Sequence, residues 1–166
     1  SGSDANSAKS RAKLTSDKKN YIINGQKMWI SNGGFADLYI VFAKIDDDKN
    51  LTAFLIEKTR DGITMNPEEE KLGIKGSSTR QIFFNDVEIP VENMLGEREG
   101  GFKIALNVLN IGRIKLGAGV LGGCRGAINN SLNYSQERIQ FNVPISSFRA
   151  IKQKLAKMVL QTFSCE

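Results

Sequence analysis

The pattern of apolar residues changes at Gly100-Gly101, and that change constrains the fold more than any other feature of the chain. From 102 to 138 there is no proline, and apolar residues recur at Phe102, Leu106, Leu109, Leu116, Val120, Cys124, Ala127 and Leu132. Spacings of three, four and seven predict a single long helix, running to roughly 55 Å at 1.5 Å per residue. Ile104, Val108, Ile111 and Ile114 add apolar groups on other sides, so the helix needs neighbours on several faces. Gly112, Gly117, Gly119, Gly122, Gly123 and Gly126 each cost about 1 kcal/mol of helix propensity against alanine. Close approach of another helix or a ligand would offset that cost. A loop around Asn142-Val143-Pro144 leads to a second amphipathic helix carrying Ile151, Leu155, Met158, Val159 and Phe163, with Ser146 or Ser147 as its N-cap.

Before the switch, apolar runs are short and separated by turn residues. Tyr21-Ile22-Ile23 and Gln26 to Ile30 flank Asn24-Gly25, a pair that predicts a two-residue hairpin turn. Leu38 to Ala43 reads as a buried strand, and the acidic tip Asp46 to Asn50 turns the chain into Leu51 to Ile56. Ile63 to Met65, Gln81 to Phe84 and Val87 to Ile89 read as further short strands. Strands at this spacing predict an antiparallel barrel or sandwich. The pattern therefore predicts an α+β fold: an antiparallel β-barrel or sandwich in the first part, 1–97, then long helices in the second, 98–166. One and a half helices cannot cover the long one, and the second ends without a stop signal. The expectation is a piece of a larger protein.

The chain has 166 residues and no histidine, which excludes Ser-His-Asp and Cys-His catalysis, imidazole bases and His-bearing zinc sites within it. No metal site is expected. Cys124 and Cys165 cannot make a disulfide framework and read as reduced thiols. No apolar run approaches the roughly 20 residues of a membrane span, so no transmembrane segment is expected. The net charge of +5 is uneven: 13 basic and 15 acidic residues up to 97, then 10 basic and 3 acidic. A basic half suggests a polyanionic partner, whether nucleic acid, anionic membrane or phosphorylated cofactor and substrate.

Several segments occur in a telling order: Gly2-Ser3-Asp4-Ala5; Tyr21 to Gly34, read as YIINGQKMWISNGG; Lys71 to Ser77, read as KLGIKGS; Val87 to Gly96, read as VEIPVENMLG; Gly101 to Ala105, read as GFKIA; and Glu137 to Phe141, read as ERIQF. Together they resemble the acyl-CoA dehydrogenase family along nearly all of the chain, and most closely its very-long-chain branch and bacterial relatives. The resemblance implies an N-terminal helical domain, a middle β-domain and a C-terminal four-helix bundle, of which this chain would hold the β-domain and about two bundle helices. It implies an FAD-dependent enzyme of fatty-acid β-oxidation that converts an acyl-CoA thioester to the trans-2-enoyl-CoA. A carboxylate takes the α-proton while the β-hydrogen leaves as hydride to flavin N5.

The same resemblance assigns residues. Trp29, Ile30 and Ser31 correspond to the flavin-edge segment, with the indole as a flat wall and the Ser31 hydroxyl as a donor to N5. Gly2 and Ser3 correspond to a turn on FAD, Ser3 also lying near substrate. Arg138 and Phe141 match an Arg-x-x-Phe pair that reaches the FAD of a neighbouring subunit, which implies a homo-oligomer, usually a tetramer. Phe148 lies near the next FAD contact, where Arg149 and Lys152 replace glutamines common in the family. Asn110 and Arg113 correspond to positions facing the CoA thioester arm, Asn110 replacing a common aspartate. At Gly112 some branches carry the catalytic Glu; glycine has no carboxylate, so no catalytic residue is expected in this chain and the base is expected beyond Glu166. Electron-transfer flavoprotein is the implied acceptor, and the bacterial cytoplasm or mitochondrial matrix the implied location. An acyl-CoA oxidase, or a non-catalytic nucleic-acid-binding relative, are the alternatives; the sequence lacks the interleaved basic and aromatic surface the latter needs.

Overall fold

The computed structural model describes residues 3–166, so Gly2 lies outside the described residues. The chain forms two compact units, Ser1–Asn107 and Val108–Glu166.

The first unit is built on seven strands: β1 (Arg11–Leu14), β2 (Asn20–Ser31), β3 (Leu38–Ile45), β4 (Thr52–Glu57), β5 (Ile63–Met65), β6 (Thr79–Pro90) and β7 (Met94–Leu95). Their order in the sheet is β5-β6-β2-β1-β3-β4-β7, so the sheet has two edges and is not a closed barrel. Every pairing is antiparallel except β1 with β3, which is parallel. The core collects the inward positions of these strands, among them Ile23, Val41, Ile45, Phe54, Ile56, Ile82, Phe84, Val87 and Ile89. Tyr21 on β2 and Phe54 on β4 pack edge to face with ring centroids 5.3 Å apart. In a flat sheet, strands three places apart would be about 14 Å from each other, so the sheet bends over its own core as a sandwich does.

Two expected boundaries differ. Asn24-Gly25 is not a hairpin turn: β2 runs straight through it, paired with β1 on one side and β6 on the other, with a register shift between Ile23 and Gly25. Gly25 has φ +141°, and a Cβ there would lie 2.7 Å from Ser10 Oγ. The extra residue of that shift lies on β6, where Asn85 and Asp86 face Asn24, so the glycine serves a close approach to Ser10 rather than a turn. Asn24 Nδ2 donates to Asp86 Oδ1 at 2.8 Å across this bulge of β6. The two strands expected over 81–89 are likewise one strand, β6. The short strand β1 alternates polar and apolar residues, Arg11-Ala12-Lys13-Leu14, but over too few positions to mark it in the sequence.

The segment before the long helix is tied to the β3–β4 turn. Arg98 grips Asp48 through two bonds of 2.7 Å, and that hydrogen bonding holds the Asp48 carboxyl below its usual range. Gly101 N donates to Leu51 O at 2.7 Å, and a Cβ at Gly101 would meet that same oxygen at 2.8 Å. Helix α1 (Gly101–Glu137) starts here, within one residue of the expected limits.

In the second unit α1 is followed by a hairpin, β8 (Ile139–Gln140) and β9 (Val143–Pro144), a 3-10 turn over Ile145–Ser147, and helix α2 (Arg149–Cys165). The N-cap position of α2 is Phe148, without a side-chain cap bond. Ser146 and Ser147 do not cap it, because the 3-10 turn takes them up: Phe148 N donates to Ile145 O at 3.1 Å. Arg125 on α1 donates to Glu166 Oε1 at 2.6 and 2.8 Å. An apolar groove of about 530 Å³ lies between the helices, lined in part by Leu121, Cys124, Met158 and Cys165. Val108, Leu109, Ile111, Ile114, Leu116 and Val120 are exposed, and a Cβ on any of the six helix glycines would meet nothing within 4 Å. By length and composition α1 could cross a membrane, with a mean hydropathy of 1.3 over its most apolar stretch. This differs from the expectation that no apolar run reaches membrane length, because the apolar residues of α1 are interspersed with glycines and small polar residues.

Candidate functional site

Near the end of β2 the pairing with β6 passes from Lys27 opposite Ile82 to Ile30 opposite Arg80. Met28 and Trp29 together therefore face Gln81, which is a bulge. Trp29 takes up the extra residue at φ +54°, and its indole is 67% exposed. A bulky side chain in the left-handed region is strained, and such strain concentrates at functional positions. Two residues on, Ser31 pairs with Thr79 at the strand end and is exposed. Its hydroxyl has no hydrogen-bond partner among the described residues. The strand end thus presents a flat aromatic wall next to an uncommitted hydroxyl, with half-buried Ile30 between them.

The turn behind Ser31 is held firmly. Asn32 N donates to Ser78 O at 2.9 Å, Gly34 N to Ser78 Oγ at 2.8 Å, and the buried Tyr39 hydroxyl to Gly33 O at 2.8 Å. Glu68 gathers the facing end of β6: it accepts from Ser78 Oγ, Thr79 N and Arg80 Nε at 2.7, 2.8 and 2.7 Å. Those donors, Arg80 first, hold its carboxyl down to about 2. The other wall of the site is the stretch Ser7–Ser10, which with Gly25–Ile30 encloses a cavity of about 560 Å³. Ser3, exposed, precedes that wall by four residues. Lys27 reaches into this cavity and donates to Phe42 O at 2.7 Å; burial lowers its ammonium to about 8. Neither Glu68 nor Lys27 stood out as a candidate from sequence. For Lys27 a signal existed: a charge in an apolar run, on the same strand parity as buried Tyr21 and Ile23.

The remaining candidates lie in the second unit. Arg113 Nη1 donates to Asn110 Oδ1 at 2.9 Å, one turn apart on exposed helix surface. The asparagine orients the guanidinium without neutralising it, leaving its charge for an anion. No side chain at Gly112 stands between them in sequence to crowd that face. Phe141 and Asn142 form the two-residue loop between β8 and β9, both with positive φ (+52° and +64°), as a type I′ turn requires. A phenylalanine there is unusual. Its ring is 88% exposed and stands edge-on to Phe148 at 6.1 Å. Arg138, exposed just before the hairpin, makes no side-chain hydrogen bond or ion pair among the described residues, so its fork is free to take two parallel bonds from a phosphate. The first unit thus presents one strained, exposed ring beside a free hydroxyl, and the second unit one strained, exposed ring and two guanidinia without an acidic partner among the described residues. Among the described residues no cluster of three or more His, Cys, Asp or Glu could hold a metal ion.

An open, bent β-sheet followed by a long helix makes this an α+β protein. Residues 1–87 match the family model of the acyl-CoA dehydrogenase middle domain, and residues 99–164 that of the acyl-CoA dehydrogenase C-terminal domain. The chain belongs to the acyl-CoA dehydrogenase family. It is 44% identical to a probable acyl-CoA dehydrogenase of Bacillus subtilis (strain 168), over all of this chain and 28% of that protein. It is 42% identical to the human mitochondrial very long-chain specific acyl-CoA dehydrogenase, over all of this chain and 27% of that one. The crystal structure of an acyl-CoA dehydrogenase complexed with FAD from Bacillus anthracis superposes with a TM-score of 0.92 at 47% identity, covering 99% of this chain and 28% of that one. The chain thus spans little more than a quarter of the length of these relatives.

Proposed function

We propose that the chain is the middle β-domain, 1–97, and the first part of the helical domain, 98–166, of an FAD-dependent acyl-CoA dehydrogenase acting in fatty-acid β-oxidation. The observation that carries this reading is the pairing of strain with exposure at Trp29 and Phe141. Both are bulky rings at positive φ, both face outward, and both stand at positions the resemblance assigns to the flavin cofactor.

When bound, FAD supplies the redox chemistry by accepting the β-hydrogen of the acyl chain as hydride. The chain's own residues bind, orient and exclude water. Trp29 and Ile30 wall one part of the ring system, and the Ser31 hydroxyl donates a hydrogen bond to its edge. Ser3 adds a neutral donor from the N-terminal turn, as Gly2 would by letting backbone approach. Arg138 takes diphosphate with its two-pronged fork, and Phe141, braced by Phe148, covers an apolar part of the cofactor of a second copy in a homo-oligomer. Arg113, oriented by Asn110, holds the CoA arm. No carboxylate stands at Gly112, and the α-proton falls to a glutamate outside this chain. Helix α1 is read as a bundle helix whose apolar sides other helices cover; the match of 99–164 to a C-terminal helical domain supports this over a membrane span. Electron-transfer flavoprotein is the proposed acceptor. Bacterial cytoplasm or mitochondrial matrix is the proposed location, given that the relatives are named from both sources.

The complete protein is expected to purify yellow and to bleach on anaerobic addition of a long-chain acyl-CoA. A colourless protein, or a flavin that acyl-CoA leaves oxidised, refutes the reading. Stoichiometric peroxide under air would assign an oxidase instead.

A further inference from the structure

Lys27 is a cation within an apolar strand, and nothing in the proposed chemistry uses it. It forms no ion pair among the described residues. Its one acceptor, Phe42 O, has a specific place in the sheet. The β1–β3 ladder runs through Lys44 N to Ser10 O and Asp46 N to Ala12 O, at 3.0 and 2.9 Å. Residues of even number on β3 therefore point their backbone groups at β1. Phe42 is the next of these, but the register of β1 begins at Arg11 opposite Lys44, and the chain before it leaves the sheet to wall the cavity. The Phe42 carbonyl is thus left facing a gap, and a buried carbonyl without a donor is costly. The ammonium of Lys27 takes the place of the missing backbone N–H.

The same gap matters for β2. Its pairing with β1 covers only Tyr21 to Asn24, so from Gly25 to Ile30 it has β6 on one side and borders the cavity on the other. The bulge that turns Trp29 outward starts immediately after Lys27. We propose that Lys27 is a positioning residue for the Trp29–Ser31 wall: bonded to Phe42 O, it bridges the gap between β2 and β3 and sets the bulge that presents the indole. The inference rests on the reading of Trp29 and Ser31 as flavin contacts.

The test uses the complete protein with Lys27→Met, which keeps the stem and removes the donor, and Lys27→Arg, which restores a donor. Wild-type protein that fails to bind FAD defeats the functional reading before any variant is compared. Given FAD binding, Lys27→Met is expected to weaken FAD by about tenfold, to shift the visible flavin band, and to slow flavin reduction by acyl-CoA with the substrate dissociation constant unchanged; Lys27→Arg is expected to return each to within about threefold. Lys27→Met with the wild-type band and reduction rate overturns the proposal. So does Lys27→Arg as impaired as Lys27→Met, since the stem and not the donor would then matter. Should Lys27→Met not fold, Lys27→Gln, whose shorter arm pulls the donor back from Phe42 O, is read by the same two spectroscopic criteria: a shifted band and slowed reduction support the proposal, and wild-type values overturn it.

Discussion

Trp29 and Phe141 occupy backbone positions that favour glycine, at φ +54° and +52°, and both leave their rings in solvent. Neither ring stabilises the chain by burial, so each position costs folding energy that only a ligand or partner returns. Trp29→Gly is accordingly expected to be more stable than Trp29→Ala by about 1 kcal/mol in chemical denaturation, because both lack the ring and only glycine relieves the backbone. Both variants should lose the spectral signature of FAD bound at this wall. Glu68 carries a different prediction. Its folded-state pKa, about 2, lies below its ordinary 4.5 because Arg80, Ser78 and Thr79 donate to it. A depressed carboxylate stabilises the fold above its unfolded pKa, and that contribution fades as pH falls from 4.5 through about 2. The Tm deficit of Glu68→Gln should be largest near neutral pH and shrink as pH drops through that window, as differential scanning calorimetry would show. The family resemblance singles out Trp29 and Ser31 in the sequence, but nothing local marks Glu68: its three donors lie ten to twelve residues away and converge only when the loop folds back.

At the scale of elements, local signals succeeded where one strand or helix acts alone. The proline-free periodicity after Gly100-Gly101 located α1 to within a residue, because a helix satisfies its own backbone. The Asn-Gly signal failed because its outcome depends on neighbours. Strands β1 and β6 flank β2 on both sides and keep the chain extended through a site that, without them, favours a turn. Gly25→Ala tests this assignment. With φ +141° and Ser10 atoms 2.7 to 2.9 Å from the new methyl, the substitution should cost about 2 kcal/mol or more by urea denaturation. A glycine in a simple type I′ turn lacks the second penalty, the clash with a crossing strand. The Ser146 and Ser147 capping expectation failed for a related reason: a 3-10 turn consumed the candidate caps, and Phe148 took the N-cap position without a capping side chain.

For the molecule as a whole, the two units differ in how far they close on themselves. The first has a complete core, with Phe54 fully buried beside Tyr21. Phe54→Ala should cost about 3–5 kcal/mol, read from denaturant midpoints at constant m-value. The second leaves most of the apolar residues of α1 exposed, together with glycines on which an added Cβ would meet nothing within 4 Å. The charge is uneven along the chain as well, acidic by 2 up to residue 97 and basic by 7 beyond it. Arg113 and Arg138 lie in the basic part, each without an acidic partner among the described residues.

By itself the sequence determined the class of each part, the limits of the long helix, the absence of imidazole chemistry and the motifs that place the chain in its family. Those are properties of period, composition and short-range order, which residues near one another in the chain carry. Only the tertiary structure decided that β1 and β3 run parallel, that Asn24-Gly25 lies inside a continuous strand, that Trp29 and Phe141 are strained outward, and that Lys27 fills a gap left by another strand. Each of these depends on which backbone groups find partners across the sheet, and such pairing joins residues whose proximity no local pattern encodes.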